Sequence, residues 1–178
     1  MEKSIKNLLV TGMPGIGKST MIKRLAEELK SAKPVGFYTE EIRVDGFRKG
    51  FQLVSLDGRK GNLAHTDARS QLMVGKYRVN VRGFEQFLDS LDLTGSADRM
   101  VILDEIGKME CFSRRFQRVI EELLDQDRLV IATVSQEGSG IIEEVKQRDD
   151  ITLFQMHKRN REEIAGKLLR RVKAIRFS

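Results

Sequence analysis

Gly12-Met13-Pro14-Gly15-Ile16-Gly17-Lys18-Ser19 is a complete G-x-x-x-x-G-K-[ST] sequence. It follows directly on the apolar run Ile5-Lys6-Asn7-Leu8-Leu9-Val10 and leads into a stretch patterned as a helix. Strand, glycine-rich turn and helix, in that order, are the context in which this pattern makes a phosphate site. Glycines let successive backbone N–H groups turn inward as an anion nest, and the helix that follows adds its positive end. In such a loop Lys18 reaches the β- and γ-phosphates, and the Ser19 hydroxyl holds Mg²⁺. A glycine-rich βα turn with a chance Lys-Ser is the competing explanation, and the flanking strand and helix tell against it. The ligand implied is a nucleoside triphosphate.

Downstream of the loop, Met21, Ile22, Leu25, Ala26 and Leu29 recur at helical spacing and predict a helix over 18–31, ended by Lys33-Pro34. Two strand-like runs, 35–44 and 47–56, flank Asp45-Gly46 and read as an antiparallel hairpin, closed by Asp57-Gly58. From Arg59 to Gly75 no period is evident, and a mobile loop is expected. A short strand over 76–81 precedes a helix holding Phe84, Phe87, Leu88 and Leu91, which breaks at Thr94-Gly95-Ser96. Met100-Val101-Ile102-Leu103 and Leu129-Val130-Ile131-Ala132 are continuous apolar runs, as strands buried on both faces require. Between them Phe112, Phe116, Val119, Ile120, Leu123 and Leu124 mark a helix. A helix near 137–148, a strand over 151–155 and a last helix with Ile164, Leu168, Leu169 and Val172 complete the pattern. Strands alternating with helices predict an α/β fold: a parallel sheet covered on both faces, with the hairpin inserted. Without a linker or repeat, residues 1–178 are expected to form a single domain.

Composition narrows the class. A chain that is 40% hydrophobic and 33% charged is globular. No apolar stretch approaches the roughly 18 residues of a membrane span, and no signal-peptide layout is present. One cysteine, Cys111, allows no internal disulfide, and two histidines do not complete a zinc site with it. The expectation is a cytoplasmic monomer. The net charge of +6 resides in 157–178, where eight Lys or Arg face two Glu; the rest of the chain balances at 24 of each sign. Nucleic acid could bind that basic end, but cations near the end of a last helix are also favoured by its dipole and its solvation, and the second explanation is preferred.

The run Met100 to Leu103 ends in Asp104-Glu105. An acidic residue at the end of a buried strand secures Mg²⁺ in P-loop enzymes, here Asp104 through a water. Ligands bind beyond the carboxyl ends of the strands in open α/β sheets, so Asp104 and Ser19 can converge there. Glu105 is the candidate base for the attacking water. Glu110 is a second candidate base, or favourable charge at the start of the next helix. Lys108 is a phosphate contact or simply exposed. Thr133 and Ser135 sense the γ-phosphate, position water, or are ordinary strand-end hydroxyls. Phe37, Tyr38, Phe47 and Phe51 cover a base or pack the hairpin. Arg43, Arg78 and Arg82 are possible arginine fingers, and no feature selects one. His65, His157 and Cys111 lack partners that would make them catalysts.

With the loop, Gly36-Phe37-Tyr38-Thr39-Glu40-Glu41, Val74-Gly75-Lys76-Tyr77 and Asp104-Glu105-Ile106-Gly107-Lys108-Met109-Glu110, the chain resembles a family of small nucleoside triphosphatases first described in thermophiles, which has a human cancer-related member. The likeness spans nearly the whole length. It implies a RecA-like P-loop fold, Mg²⁺ dependence, and slow hydrolysis of ATP, GTP, CTP and UTP to the diphosphate and phosphate. It implies Lys18 and Glu105 as catalytic residues. The nucleotide-binding set it implies is Gly12, Met13, Pro14, Gly15, Ile16, Gly17, Lys18, Ser19 and Thr20 with Val101, Ile102, Leu103, Asp104, Glu105, Ile106, Gly107 and Lys108. Asn160-Arg161 matches a pair near the base in that family, which adds Arg161. Asn160 and Glu163 also have the spacing of a capping box. Two rival functions remain: a nucleoside or nucleotide kinase, with the hairpin and the Arg59 to Gly75 loop supplying acceptor pocket and lid, and an ATPase stimulated by nucleic acid.

Overall fold

The apolar run ahead of the glycine loop forms β1 (Asn7–Thr11), every residue of it buried. In the computed structural model, which describes residues 6–95 and 98–176, Ile5, Ser96 and Ser178 lie outside the described residues. The loop leads into α1 (Lys18–Glu28), and a one-turn 3-10 helix, Lys30–Ala32, replaces the last turn expected of it. Lys33 stops it as a left-handed C-cap, φ 49° and ψ 53°, its N–H bonded to the Lys30 carbonyl. β2 (Val35–Val44) and β3 (Phe47–Ser55) form the hairpin. Asp45 and Gly46 both take positive φ, 50° and 80°, as a two-residue hairpin turn that matches strand twist requires.

The stretch expected to be a mobile loop is instead largely ordered. It contributes β4 (Lys60–His65) and β5 (Met73–Val74), followed by β6 (Tyr77–Val79). Leu63 and Ala64 are buried, and β4 pairs antiparallel with β3 across a register shift at Phe51/Gln52. A strand with two adjacent apolar residues among polar ones has no period of its own; its partner dictates it.

Next come α2 (Val81–Asp89), β7 (Val101–Ile106), a 3-10 turn at Glu110–Phe112, α3 (Arg114–Asp125) and β8 (Val130–Val134). Phe112 therefore precedes α3. The chain ends with α4 (Ile141–Lys146), β9 (Ile151–Gln155) and α5 (Arg161–Arg176). α4 starts later than its apolar pattern suggests, because Gly140 holds φ 55° ahead of it.

Among the described residues nine strands join one sheet in the order β5-β6-β4-β3-β2-β7-β8-β1-β9. From β2 to β9 neighbours are parallel, the RecA-like arrangement expected, with β8 between the loop strand and the acidic strand. The hairpin grows out of this sheet: Val35 to Phe37 pair in parallel with β7, and the rest of β2 turns antiparallel onto β3. Alternation along β1 divides the core. Leu8 and Val10 join Met21, Ile22 and Leu25 of α1 and Ile164 and Leu168 of α5 on one face. Leu9 joins the face covered by α2, α3 and α4. There Phe37 is wholly buried among Phe84, Phe87 and Phe116, with ring centroids 5.8–6.2 Å away. Such burial is worth about 1.5–3 kcal/mol per side chain.

Candidate active site

α1 begins at Gly17, which has φ 107°, offers no side-chain cap, and is followed by no acid in the first turn. Its leading N–H groups are therefore left for an anion. Glycine is also enforced at Gly12, where a Cβ would meet the Met156 carbonyl oxygen at 2.6 Å. Lys18 is buried. Its Nζ donates to the Gly12 carbonyl at 2.8 Å, lies 3.4 Å from that of Met13, and lies 3.7 Å from Glu105 Oε2. One ammonium group thus touches both the glycine loop and the acidic strand end.

β7 delivers Asp104 to the same level of the sheet, for Leu103 pairs with Ala132 and Val10 with Thr133. The Asp104 carboxylate is 1% exposed and is held on both oxygens. Thr133 Oγ1 donates to Oδ1 at 2.6 Å. Thr39 Oγ1 donates to Oδ2 at 3.1 Å, and the Thr39 N–H points there at 3.4 Å. Thr133 spends its proton on Asp104. Thr39 lies in the motif quoted above, but sequence alone gave it no role; only the pairing of β2 with β7 brings it here.

Burial pushes the Glu105 carboxyl up, the Lys18 ammonium pulls it back, and Asp104 pushes it up again. Glu110 is buried and is held well above the usual carboxyl range, first by burial and then by the charges of Glu105 and Asp104, against N–H groups of its own turn that lower it. Both glutamates reach over Gly107. A Cβ there would meet Glu105 Oε1 at 2.7 Å and Glu110 Oε2 at 2.9 Å, so only glycine leaves the two carboxyl groups room. Burial beside Glu110 and Glu105 drives the Cys111 thiol up to about 12, which makes it a poor nucleophile.

The remaining candidates divide sharply. Val101, Ile102, Leu103 and Ile106 are 0% exposed; they hold Asp104 and Glu105 in place and present no surface to a ligand. Met13, Pro14, Gly15, Thr20 and Lys108 are exposed, and Ile16, Gly17 and Ser19 are half-buried. Arg161 lies along the loop, its Nη1 and Cδ 3.3 and 3.4 Å from the place of a Cβ on Gly17. Asn160 does not use its side chain as the capping-box spacing suggests. It accepts from the His157 N–H at 2.7 Å and donates to the Gln155 carbonyl at 2.9 Å, while Glu163 pairs with Lys167. The loop before α5, not the helix, takes this amide.

Of the hairpin aromatics, Phe37 belongs to the core, Phe51 packs on Tyr77 at 5.1 Å, and Phe47 is exposed at the tip. Arg43 is engaged by Glu41 and the Gly46 carbonyl, and Arg78 by the Ser70 carbonyl. Among the described residues no group of three or more His, Cys, Asp or Glu could hold a metal ion. Ser19 and Asp104 are the two oxygen-bearing side chains that could hold Mg²⁺, which usually completes its shell with water and phosphate oxygens.

Comparison with known proteins gives the family of the chain. Residues 7–169 match the family described as NTPase. The chain is 42% identical to nucleoside-triphosphatase THEP1 of Thermotoga sp. (strain RQ2), over 91% of this chain and 92% of that protein. It is 34% identical to the human cancer-related nucleoside-triphosphatase, over 96% and 98% of the two chains. The crystal structure of THEP1 from Aquifex aeolicus superposes with a TM-score of 0.82 at 29% identity, covering 91% of this chain and 96% of that one.

Proposed function

The chain belongs to this NTPase family and is a nucleoside triphosphatase, and we propose that residues 1–178 act as one P-loop domain that accepts ATP, GTP, CTP and UTP with Mg²⁺. The observation that carries the mechanism is the position of Lys18 Nζ, 2.8 Å from the Gly12 carbonyl and 3.7 Å from Glu105 Oε2. A triphosphate tail laid on the uncapped start of α1 meets the loop amides on one side and Glu105 on the other. Lys18 exchanges the Gly12 carbonyl for phosphate oxygens and stabilises the charge that develops there. Ser19 and Asp104 would hold Mg²⁺, which when bound neutralises charge on the β- and γ-phosphate oxygens. Glu105 orients the attacking water and takes its proton as the new O–P bond forms and the bond from the γ-phosphorus to the bridging oxygen breaks. The products are the diphosphate and phosphate. Arg161 contacts the nucleotide beyond the loop in this reading, which its position along Gly17 supports.

We also propose a monomer working in the cytoplasm, where the free Cys111 stays reduced. No described helix is long and apolar enough to cross a membrane.

The test is phosphate release from each of the four triphosphates, with and without nucleosides, monophosphates or polynucleotides. Release from all four without any acceptor is expected, with EDTA abolishing it. Quantitative transfer to an added nucleoside or monophosphate would instead make the chain a kinase. Strong stimulation by DNA or RNA at low salt would give the basic end of the chain the role set aside above.

A further inference from the structure

The buried Asp104 carboxylate is gripped from both neighbouring strands. β8 sends the Thr133 hydroxyl to Oδ1 at 2.6 Å and β2 sends the Thr39 hydroxyl to Oδ2 at 3.1 Å. Donors on both oxygens fix the plane of the carboxylate; Oδ2 also faces the Thr39 N–H at 3.4 Å, and Oδ1 keeps a lone pair free for a further partner. The grip on the β2 side is itself anchored. Glu40, next to Thr39, accepts from Lys23 of α1 at 2.7 Å and from Gln52 of β3 at 3.0 Å. Lys23 also sits over the Tyr38 ring, 4.9 Å from its centroid. Lys23 lies one helical turn beyond Ser19. A continuous path therefore runs from Ser19 along α1 to Lys23, across to Glu40, back one residue to Thr39 and on to Asp104.

We propose that Thr39 and Thr133 are positioning residues that set the Asp104 carboxylate for a divalent cation, with the Lys23–Glu40 pair bracing Asp104 against Ser19. The proposal rests on Asp104 as the metal-side acid. It gives the hairpin strand a part in metal binding without any residue of the hairpin touching the ion. Carboxylates that meet a metal are aimed by the groups hydrogen-bonded behind them, and removing such a group typically lowers metal affinity about 10–100-fold.

Valine has the shape of threonine and lacks the donor; serine keeps the donor and lacks the methyl. A role in packing alone would tolerate Val and suffer from Ser, and a role in aiming Asp104 would do the reverse. The readout is the affinity of the purified chain for a fluorescent ADP analogue, titrated in EDTA and at rising Mg²⁺, so that no turnover is involved. Thr39→Val and Thr133→Val should bind the analogue as the wild type does in EDTA. Each should need about tenfold more Mg²⁺ for the metal-dependent gain, and Thr39→Ser and Thr133→Ser should fall within about twofold of the wild type. Lys23→Met should move the Mg²⁺ requirement the same way by a smaller factor. A wild-type Mg²⁺ requirement in the Val variants, with Asp104→Asn impaired, overturns the positioning role. A wild-type requirement in Asp104→Asn overturns the assignment of Asp104 beneath it. If Thr133→Val, at a fully buried position, loses binding in EDTA, the half-buried Thr39→Val decides the matter alone.

Discussion

On the loop side of the site the groups offered to the ligand are backbone amides and one lysine, whereas across from them stand the carboxyl groups of Asp104, Glu105 and Glu110. On the loop side the start of α1 is left uncapped. α2 and α3 each close their first turn with a side chain, Asn80 accepting from Gly83 and Ser113 accepting from Phe116, but α1 starts at Gly17 with neither cap nor acid. The acidic side is over-provided, with two threonines on Asp104 and the charges of Glu105 and Asp104 both pushing the Glu110 carboxyl up. The contrast teaches a division of labour. On the function proposed above, the uncapped amides at the start of α1 would bind an anion whatever its base, while the tightly held acids would decide what happens to the terminal phosphate.

The division can be broken most severely from the acidic side. Glu105→Gln should lower kcat for phosphate release by about 10²- to 10⁴-fold, while the affinity for a non-hydrolysed triphosphate changes little. A variant that turns over at the wild-type rate would remove Glu105 from the proton transfer. Lys18→Ala strikes the side that binds. It should cost about 10²- to 10³-fold in kcat and weaken triphosphate binding as well, so equilibrium titration separates it from Glu105→Gln.

A smaller effect is expected from Gly107→Ala. The new methyl would lie within 3 Å of both Glu105 Oε1 and Glu110 Oε2, and a displacement of that size costs up to about 10²-fold in turnover. Nucleotide affinity in EDTA should stay at the wild-type value, because the loop amides are untouched. Equal loss of affinity would show that the two sides are not separable.

The mildest change is Glu110→Gln, read as stability. The folded chain holds the Glu110 carboxyl well above its ordinary value of 4.5, so it keeps a proton that the unfolded chain releases. The stability this group allows is complete below pH about 4.5 and declines as pH rises toward the folded value. The Tm of Glu110→Gln relative to the wild type should therefore climb above pH 4.5, by about 2–4 °C for each kcal/mol relieved. A difference in Tm that does not vary with pH would contradict the protonated state.

How far these features were legible in the sequence follows the same contrast. The loop side occupies eight consecutive residues between a strand and a helix, so local chemistry was enough to read it. Asp104 and Glu105 were legible as the end of an apolar run. Thr39 was not, and Thr133 was legible only as a strand-end hydroxyl with several possible roles, since their link to Asp104 depends on strands 65 and 29 residues away in the chain coming to lie on either side of it. β4 escaped notice for a related reason: Leu63 and Ala64 make a strand only because β3 is there to pair with it. Asn160 shows the opposite failure. Its spacing to Glu163 fits a capping box, yet the amide bonds to His157 and Gln155, because one short side chain can serve the loop behind it or the helix ahead of it.

The most direct test of the two-sided site is a crystal structure of the Glu105→Gln variant with Mg²⁺ and ATP. The distances to measure are those from Lys18 Nζ and from residue 105 to the γ-phosphate. The prediction is Lys18 released from the Gly12 carbonyl and bonded to phosphate oxygens, with residue 105 facing the γ-phosphorus across one water. A γ-phosphate directed away from residue 105, with Lys18 still on the Gly12 carbonyl, would contradict it.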